Sequence, residues 1–361
     1  MLGAGALDAR ILAAIGAYAL DDDGFLDLAR DLFAHQVAHN APYAAYARAL
    51  GYDAQRLPQR IEDVPAVPAA AFKEARLAAF PPERTAVWFE TSGTTLGRGG
   101  RHDLDTTLLY EAALLASFDR MLLADGARLR YLNLVPNPRE LPHSSLGFMM
   151  DVVARERGDG AGGWYLRDDA LDVDGFVGAV ERARYDGVAT CVATTAFALL
   201  ALLDALEARA TSLALPPGSR IMETGGFKGR TRLVDRATLY RDASARFGVP
   251  IDAIVAEYGM TELSSQYYDA PEGRERIEPR VKLAPPWLRP IVVDGEGRPL
   301  PRGVVGAIRH VDLANRGSVI AIETEDLGAL MDPGLVLLGR EQGAELRGCS
   351  LDAETLLARR G

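Results

Sequence analysis

Between residues 129 and 257, short apolar runs alternate with longer segments of helical period, and this alternation restricts the chain to a small set of α/β folds. Residues 129–136 (Leu-Arg-Tyr-Leu-Asn-Leu-Val-Pro) read as a strand ended by proline, and residues 173–185 as a helix. Residues 187–194 read as a buried strand and 196–207 as an apolar helix. Residues 220–223, 235–247 and 251–257 then repeat strand, helix, strand. From Trp287 the pattern changes to short strands with Gly/Pro turns, at 291–293, 304–310, 319–322 and 336–338. The expectation is an α/β body with a β-rich closing piece.

Upstream, Leu7, Ile11, Ala14 and Ile15 recur at helical steps, followed by Phe25, Leu28, Ala29, Leu32 and Phe33, with Asp22 or Asp23 placed to cap the second helix. Residues 104–123 read as a helix opened by Asp103 or Asp105. Three segments are expected: an N-terminal helical segment (1–70) packed on the body, the α/β nucleotide- and acyl-binding body (71–285), and the β-rich subdomain with a short tail (286–361). The 361 residues, 48% hydrophobic and 25% charged, suffice for a core without disulfides. Two cysteines, Cys191 and Cys349, exclude a disulfide framework and fit a reducing compartment. A formal charge of −10 argues against a nucleic-acid partner, which favours a basic face. The N-terminus lacks the basic region of a secretory signal, and the longest apolar runs fall short of the ~20 residues that span a bilayer. A cytoplasmic location without a membrane span is expected.

Five strings carry chemistry. The first, residues 88–102, leads a strand-like run into Thr91, Ser92, Gly93, Thr94 and Thr95, then Gly97, Arg98, two further glycines, Arg101 and His102, and on into the helix. Glycines let the backbone approach phosphate oxygens while N–H groups and hydroxyls donate to them; Arg98 or Arg101 adds positive charge. The Gly-Lys-Ser/Thr of a P-loop is absent. The second string, residues 255–263, follows an apolar strand with Glu257, Tyr258, Gly259, Met260, Thr261 and Glu262. At a strand's carboxyl end, Tyr offers a face for a purine, Thr a hydroxyl, and Glu an oxygen ligand for Mg²⁺. A helix N-terminus capped by Thr261 reads equally well. The third string runs through Glu223, Thr224, Gly225, Gly226, Phe227 and Lys228; the fourth contains Thr324, Glu325 and Asp326; the fifth runs from Gly339 and Arg340 to Cys349. Each alone is compatible with a turn.

In this order the strings resemble the adenylate-forming superfamily of acyl-CoA synthetases, adenylation domains and luciferases. The finer likeness is to the acyl-protein synthetase (LuxE-type) branch, through residues 225–229, 258–266, 324–328 and 343–349. The resemblance implies the N-terminal body of that fold, helix-flanked sheets with a β-rich closing subdomain, and ATP with Mg²⁺ as cofactors. It implies that Thr91, Ser92, Gly93, Thr94 and Thr95 grip the β,γ-phosphates. Gly225, Gly226 and Phe227 would line the adenine pocket, and Tyr258 would stack on the base, flanked by Gly259 and Met260. Thr261 would meet the α-phosphate, Glu262 hold Mg²⁺, and Asp326 and Arg340 bind the ribose. His143 falls where the superfamily places an aromatic or His beside the carboxylate; a structural role is as well supported.

Two departures stand out. The lysine that ends the first loop is missing, with Arg98 or Arg101 as the available charge. Only residues 341–361 follow Arg340, too few for the mobile C-terminal domain and its lysine, so that domain is expected to be absent; Lys228 is the candidate substitute. The implied reaction activates a carboxylic acid as an acyl-adenylate and passes it to a thiol, with Cys349 as acceptor, or to a partner such as an acyl reductase or carrier protein. The alternatives are adenylation of an aromatic or amino-type acid for a separate acceptor, and a non-catalytic nucleotide-binding module.

Overall fold

In the computed structural model, which describes residues 2–91, 99–167, 170–225, 235–277 and 279–340, the early periodicity becomes three helices: α1 (Ala4–Ala17), α2 (Asp22–His39) and α3 (Ala41–Ala49). The cap of α2 is Asp21, whose carboxylate accepts from Gly24 N at 2.8 Å. Asp22 and Asp23, expected as caps, occupy the first turn instead, where their charge complements the helix dipole. Asn40 caps α3 by accepting from Tyr43 N. The two-residue strand β1 (Val67–Pro68) and short helix α4 (Ala71–Glu74) lead to β2 (Val87–Glu90) and β3 (Arg101–Leu104), then α5 (Leu108–Leu122).

Here the sequence expectation needs correcting. The string after Glu90 returns as a strand, not directly as a helix, and β3 pairs antiparallel with β2 from Val87–Leu104 to Glu90–Arg101. Asp103 opens no helix. It is buried within β3, accepting from Arg101 at 2.6 Å and Thr85 Oγ1 at 3.2 Å, and helix α5 begins only at Leu108.

The alternating section follows: β4 (Arg130–Leu134), α6 (Ser145–Arg157), β5 (Gly163–Trp164), β6 (Leu166–Arg167), β7 (Ala170–Leu171), α7 (Val173–Asp186), β8 (Thr190–Thr195), α8 (Ala196–Ala208), β9 (Arg220–Thr224), α9 (Arg236–Phe247) and β10 (Ile254–Tyr258). Helices α7, α8 and α9 each start on a side-chain cap, from Asp172, Thr195 and Asp235. Gly187 and Gly248 end α7 and α9 at left-handed φ of 68° and 66°, where glycine avoids a Cβ clash. Helix α6, unanticipated in the sequence, is capped by Ser144 and buries Met149, Met150, Val152 and Val153. The chain closes with β11 (Tyr267–Asp269), β12 (Lys282–Leu283), β13 (Leu288–Val293), β14 (Gly306–Asp312), β15 (Ala321–Leu330) and β16 (Leu335–Arg340).

The contacts divide the chain into two units. One comprises Met1–Ser117, Met260–Gln266 and the chain from Ala284; the other comprises Phe118–Gly259 and Tyr267–Leu283. In the first, β13, β14, β15 and β16 form an antiparallel run in that order, with β1 parallel to β15. Its core joins Leu7, Ile11, Phe25 and Phe33 of the N-terminal helices to Trp287, Val293, Val311 and Ile322. The helices of segment 1–70 therefore share a core with strands after residue 286.

In the second unit the order is β12-β11-β10-β9-β8-β4-β5, parallel from β10 to β5 and antiparallel through β11 and β12. Leu132, Val192, Ile221 and Ile254 of its strands pack with Phe176, Leu199, Leu202 and Phe247 of α7, α8 and α9. Parallel strands covered by helices are buried on both faces, and β4 and β9 carry the resulting near-continuous burial.

Candidate functional site

The carboxyl ends of the parallel strands β9 and β10 lie side by side in the second unit. Thr224 and Glu257 are register partners, and the Thr224 hydroxyl donates to Glu257 Oε2. One residue further on, Gly225 takes φ +77° with open space where a Cβ would stand, so its backbone turns where an L side chain is disfavoured. Tyr258 follows Glu257 and pairs with Tyr267, the ring centroids 5.6 Å apart. Carboxyl ends of neighbouring parallel strands are where open α/β sheets receive ligands.

Beneath these ends is a buried ionic cluster. Asp269 accepts from Lys282 Nζ at 2.7 Å, from Arg280 Nη1 at 2.8 Å and from Ala256 N at 2.8 Å, and all three charged side chains are 2% exposed or less. Burial opposes the Asp269 charge, but the two cations hold its carboxyl below the usual range. Lys282 also donates to Ala256 O at 2.7 Å, which ties the cluster to β10. Glu223, on β9, accepts from Tyr240 OH at 2.9 Å, and burial raises its carboxyl. Burial likewise pushes Glu257 up to about 7, against the Thr224 hydrogen bond and the Lys282 charge. None of these partnerships shows as a sequence motif. A lone charged pair (Arg280 and Lys282) bracketing Val281 was the one available signal.

In the first unit, Thr91 closes the base of the hydroxyl–glycine loop. Its N–H donates to Gly100 O at 2.9 Å, and its hydroxyl accepts from Gly100 N at 2.7 Å. A Cβ on Gly99 would stand 2.5 Å from Thr91 O, so this junction admits only glycine without rearrangement. Two residues past Gly100, the fully buried His102 places Nδ1 2.8 Å from Thr261 O. A carbonyl only accepts, so Nδ1 carries the proton. Burial lowers the His102 pKa, opposed by this bond.

The segment from Met260 to Gln266 forms no helix, so Thr261 is not a helix cap. Its backbone is held by side chains instead. Asn315 Nδ2 donates to Glu262 O at 2.8 Å; Ser264 N donates to Asp312 Oδ2 at 3.0 Å, and Ser265 Oγ to Asp312 Oδ1 at 2.8 Å. Trp287 Nε1 donates to Ser265 Oγ at 3.0 Å. Burial raises Asp312 to about 6 despite these donors.

No family model matches the chain, and no curated protein matches it by sequence. Solved structures do. The chain is similar to the amide bond synthetase McbA of Marinactinospora thermotolerans, with 22% identity and a TM-score of 0.50 over 72% of this chain and 49% of that one. ATP-bound MatB of Rhodopseudomonas palustris gives 21% identity and 0.50 over 71% and 48%. An open conformation of 2-hydroxyisobutyryl-CoA ligase, in complex with 2-HIB-AMP and CoA, gives 13% identity and 0.65 over 91% of this chain and 76% of that one. The fold is that of the N-terminal body of adenylate-forming enzymes. The match spans about half the length of the first two proteins.

Within this fold, Asp326 and Arg340 are register partners on β15 and β16, so the two residues singled out for ribose are adjacent in the sheet. Thr324 Oγ1 accepts from Asp326 N at 3.1 Å and donates to Ile308 O at 2.9 Å, fixing the strand there. His143 is half-buried in the turn before α6, next to the cap Ser144. Ser92, Gly93, Thr94, Thr95, Arg98, Gly226, Phe227, Lys228 and Cys349 lie outside the described residues, as does the Arg340 side chain. Cys191 is fully buried in β8, and burial pushes its thiol up to about 12. Among the described residues no three or more His, Cys, Asp and Glu gather as a metal site, and no helix is long and apolar enough to cross a membrane.

Proposed function

We propose that the chain uses ATP to activate a carboxylic acid as its acyl-adenylate. The observation that carries this reading is the pairing of Thr224-Gly225 with Glu257-Tyr258 at the carboxyl ends of adjacent parallel strands, in a fold shared with adenylate-forming enzymes. Gly225, with Gly226 and Phe227, would border the adenine, and Tyr258 would stack on it. Thr91 with the hydroxyls of Ser92, Thr94 and Thr95 would take the β,γ-phosphates, and Asp326 with Arg340 the ribose. Thr261 would contact the α-phosphate, and His143 would stand beside the substrate carboxylate.

Glu262 would hold Mg²⁺, which supplies charge neutralisation for the phosphates. A single carboxylate fits this cation, which proteins hold through one or two carboxylates together with substrate phosphates. A carboxylate oxygen forms a bond to the α-phosphorus as the bond to the bridging oxygen breaks, and pyrophosphate leaves with that electron pair. The protein's part is positioning and electrostatics. Pyrophosphate release measured over aliphatic, aromatic and amino acids tests this. The expected result is turnover with one acid class that Glu262→Ala abolishes; no release with any class, or release indifferent to Glu262→Ala, overturns it.

The finer reading is an acyl-protein synthetase of the LuxE type, in which the acyl group passes to the sulfur of Cys349, AMP leaves, and a reductase or carrier protein receives the acyl group. The sequence strings at 258–266 and 343–349 support it. The burial of Cys191 supports Cys349 as the acceptor, since a thiol held near 12 is seldom ionised at neutral pH. Mass spectrometry after incubation with ATP, Mg²⁺ and fatty acids is expected to find the adduct on Cys349; adenylate without adduct removes this second step.

A further inference from the structure

The function above assigns roles to Thr91 and Thr261 but none to the buried histidine that stands close to both in the first unit. His102 lies on β3 directly after the Gly99–Gly100 junction, where Gly100 exchanges two hydrogen bonds with Thr91. Its ring is fully buried and sits edge-on to Phe72, at 5.8 Å and 76°. Its Nδ1–H reaches across 159 residues of sequence to the carbonyl of Thr261 at 2.8 Å. Nε2 is buried and has no hydrogen-bond partner among the described residues. The ring is therefore oriented by one polar contact and one aromatic contact, and the polar contact falls on the residue before Glu262.

We infer that His102 is a positioning residue for the adenylation reaction: it locks the strand leaving the hydroxyl–glycine loop to the backbone of Thr261, and so sets Thr261 and Glu262 relative to the base of that loop. This rests on the proposed use of ATP. The reasoning is steric as well as polar. Segment 260–266 forms no helix or strand; Leu263 N–H satisfies Met260 O within it at 3.1 Å, and the buried carbonyls that follow take partners from outside. Asn315 fixes Glu262 O, Asp312 fixes the next turn through Ser264 and Ser265, and His102 supplies the contact at Thr261. Of these partners, His102 is the one that comes from the hydroxyl–glycine hairpin. Without it the loop base and the Thr261–Glu262 backbone would be positioned independently, and a misplacement of about 1 Å at reacting groups costs on the order of 100-fold in rate.

Three variants of the full chain separate positioning from packing. His102→Phe keeps a ring against Phe72 but has no donor. His102→Asn places an amide N–H where Nδ1 was, whereas His102→Gln carries the same amide one bond too far to meet Thr261 O. Each is compared with wild type for pyrophosphate release, for the separate kcat and KM of Mg·ATP, for calorimetric ATP binding with and without Mg²⁺, and for thermal unfolding. The expected result is a kcat loss of roughly 10- to 100-fold in the Phe and Gln variants, with the Mg²⁺-dependent gain in ATP affinity diminished and the Asn variant restored towards wild type. If His102→Phe does not fold, the Asn and Gln pair carries the comparison. Asn and Gln variants with equal kcat and equal Mg²⁺ response, or losses confined to melting temperature, overturn the inference while leaving the adenylation reading intact. Wild-type protein that binds no ATP overturns both. Where wild type binds Mg·ATP but turns over no tested acid, the calorimetric comparison decides, an unchanged Mg²⁺ response in His102→Gln counting against the role.

Discussion

Replacing Glu257 by Gln tests the electrostatics beneath the strand ends with little change in shape. Glu257 is buried, accepts the Thr224 hydroxyl, and is raised from 4.5 to about 7, first by burial and against the help of Thr224 and Lys282. Below the unfolded value of 4.5 both states hold the proton and Glu257 contributes no pH dependence. Between 4.5 and about 7 the folded state keeps a proton that the unfolded chain has released, so stability falls as pH rises. Above about 7 both states are ionised and the loss is complete. At ~1.4 kcal/mol per pKa unit, the whole rise corresponds to about 3.5 kcal/mol, of which about 2.5 kcal/mol falls between pH 5 and pH 8. Gln cannot ionise, yet its amide oxygen can still accept from Thr224. Urea unfolding of both proteins at unit pH steps across that range gives the difference in stability, from which carboxyls that do not interact with Glu257, such as Asp312, cancel. The variant is expected to gain on wild type by about 2.5 kcal/mol between pH 5 and pH 8. A difference flat to within about 0.5 kcal/mol would refute the assignment of a buried, proton-holding carboxyl at this position.

Two further substitutions probe the scaffold of each unit. Asp269→Asn leaves Arg280 and Lys282 buried without their counter-charge and is expected to cost about 3–5 kcal/mol in denaturant unfolding; a cost below about 1 kcal/mol would mean the cluster is solvated or rearranged. Gly99→Ala puts a methyl 2.5 Å from Thr91 O, so the loop base must open. Calorimetry is expected to show ATP affinity reduced about tenfold, roughly 1.4 kcal/mol, and unchanged affinity would separate Thr91 from nucleotide binding.

The architecture was legible where local pattern and tertiary demand agree. The short runs that become β4, β8, β9 and β10 are buried at nearly every position, and their apolar residues, set between helical segments, mark them although Arg130, Asn133, Glu223 and Glu257 interrupt the pattern. Helix α6 escaped because Pro142, His143, Ser144 and Ser145 resemble a loop, and Ser144 as an N-cap is recognisable only with the buried Met149, Met150, Val152 and Val153 behind it. Strand β3 was missed because Arg101 and His102 read with the glycine loop and Leu104 falls at helical spacing with the leucines of α5, while the burial of Asp103 depends on Arg101 and Thr85. Candidate site residues that lie within one short string, such as Thr224-Gly225 or Glu257-Tyr258, could be seen because a turn and its chemistry are contiguous. His102 with Thr261, and Asp269 with Arg280 and Lys282, become visible only once the chain is folded, since their spacing matches no period of helix or strand.

That contrast has a physical origin in how irregular backbone is held. A strand or helix satisfies its own N–H and C=O groups, so the residues it presents are free to vary as long as the pattern survives. Segment 260–266 has no such ladder, and the Thr261 and Glu262 carbonyls, the Ser264 N–H and the Ser265 hydroxyl are held by His102, Asn315, Asp312 and Trp287, drawn from three separate stretches of sequence. Each of these is buried, and an unsatisfied buried carbonyl or carboxylate costs more than a typical net hydrogen bond returns. The segment is thus fixed by side-chain contacts from elsewhere in the chain rather than by propensity, which suits a stretch whose Thr261 and Glu262 are proposed to meet phosphate and Mg²⁺ in fixed geometry. Substitutions in this supporting set should therefore alter the placement of Thr261 and Glu262 before they alter any chemistry those side chains perform.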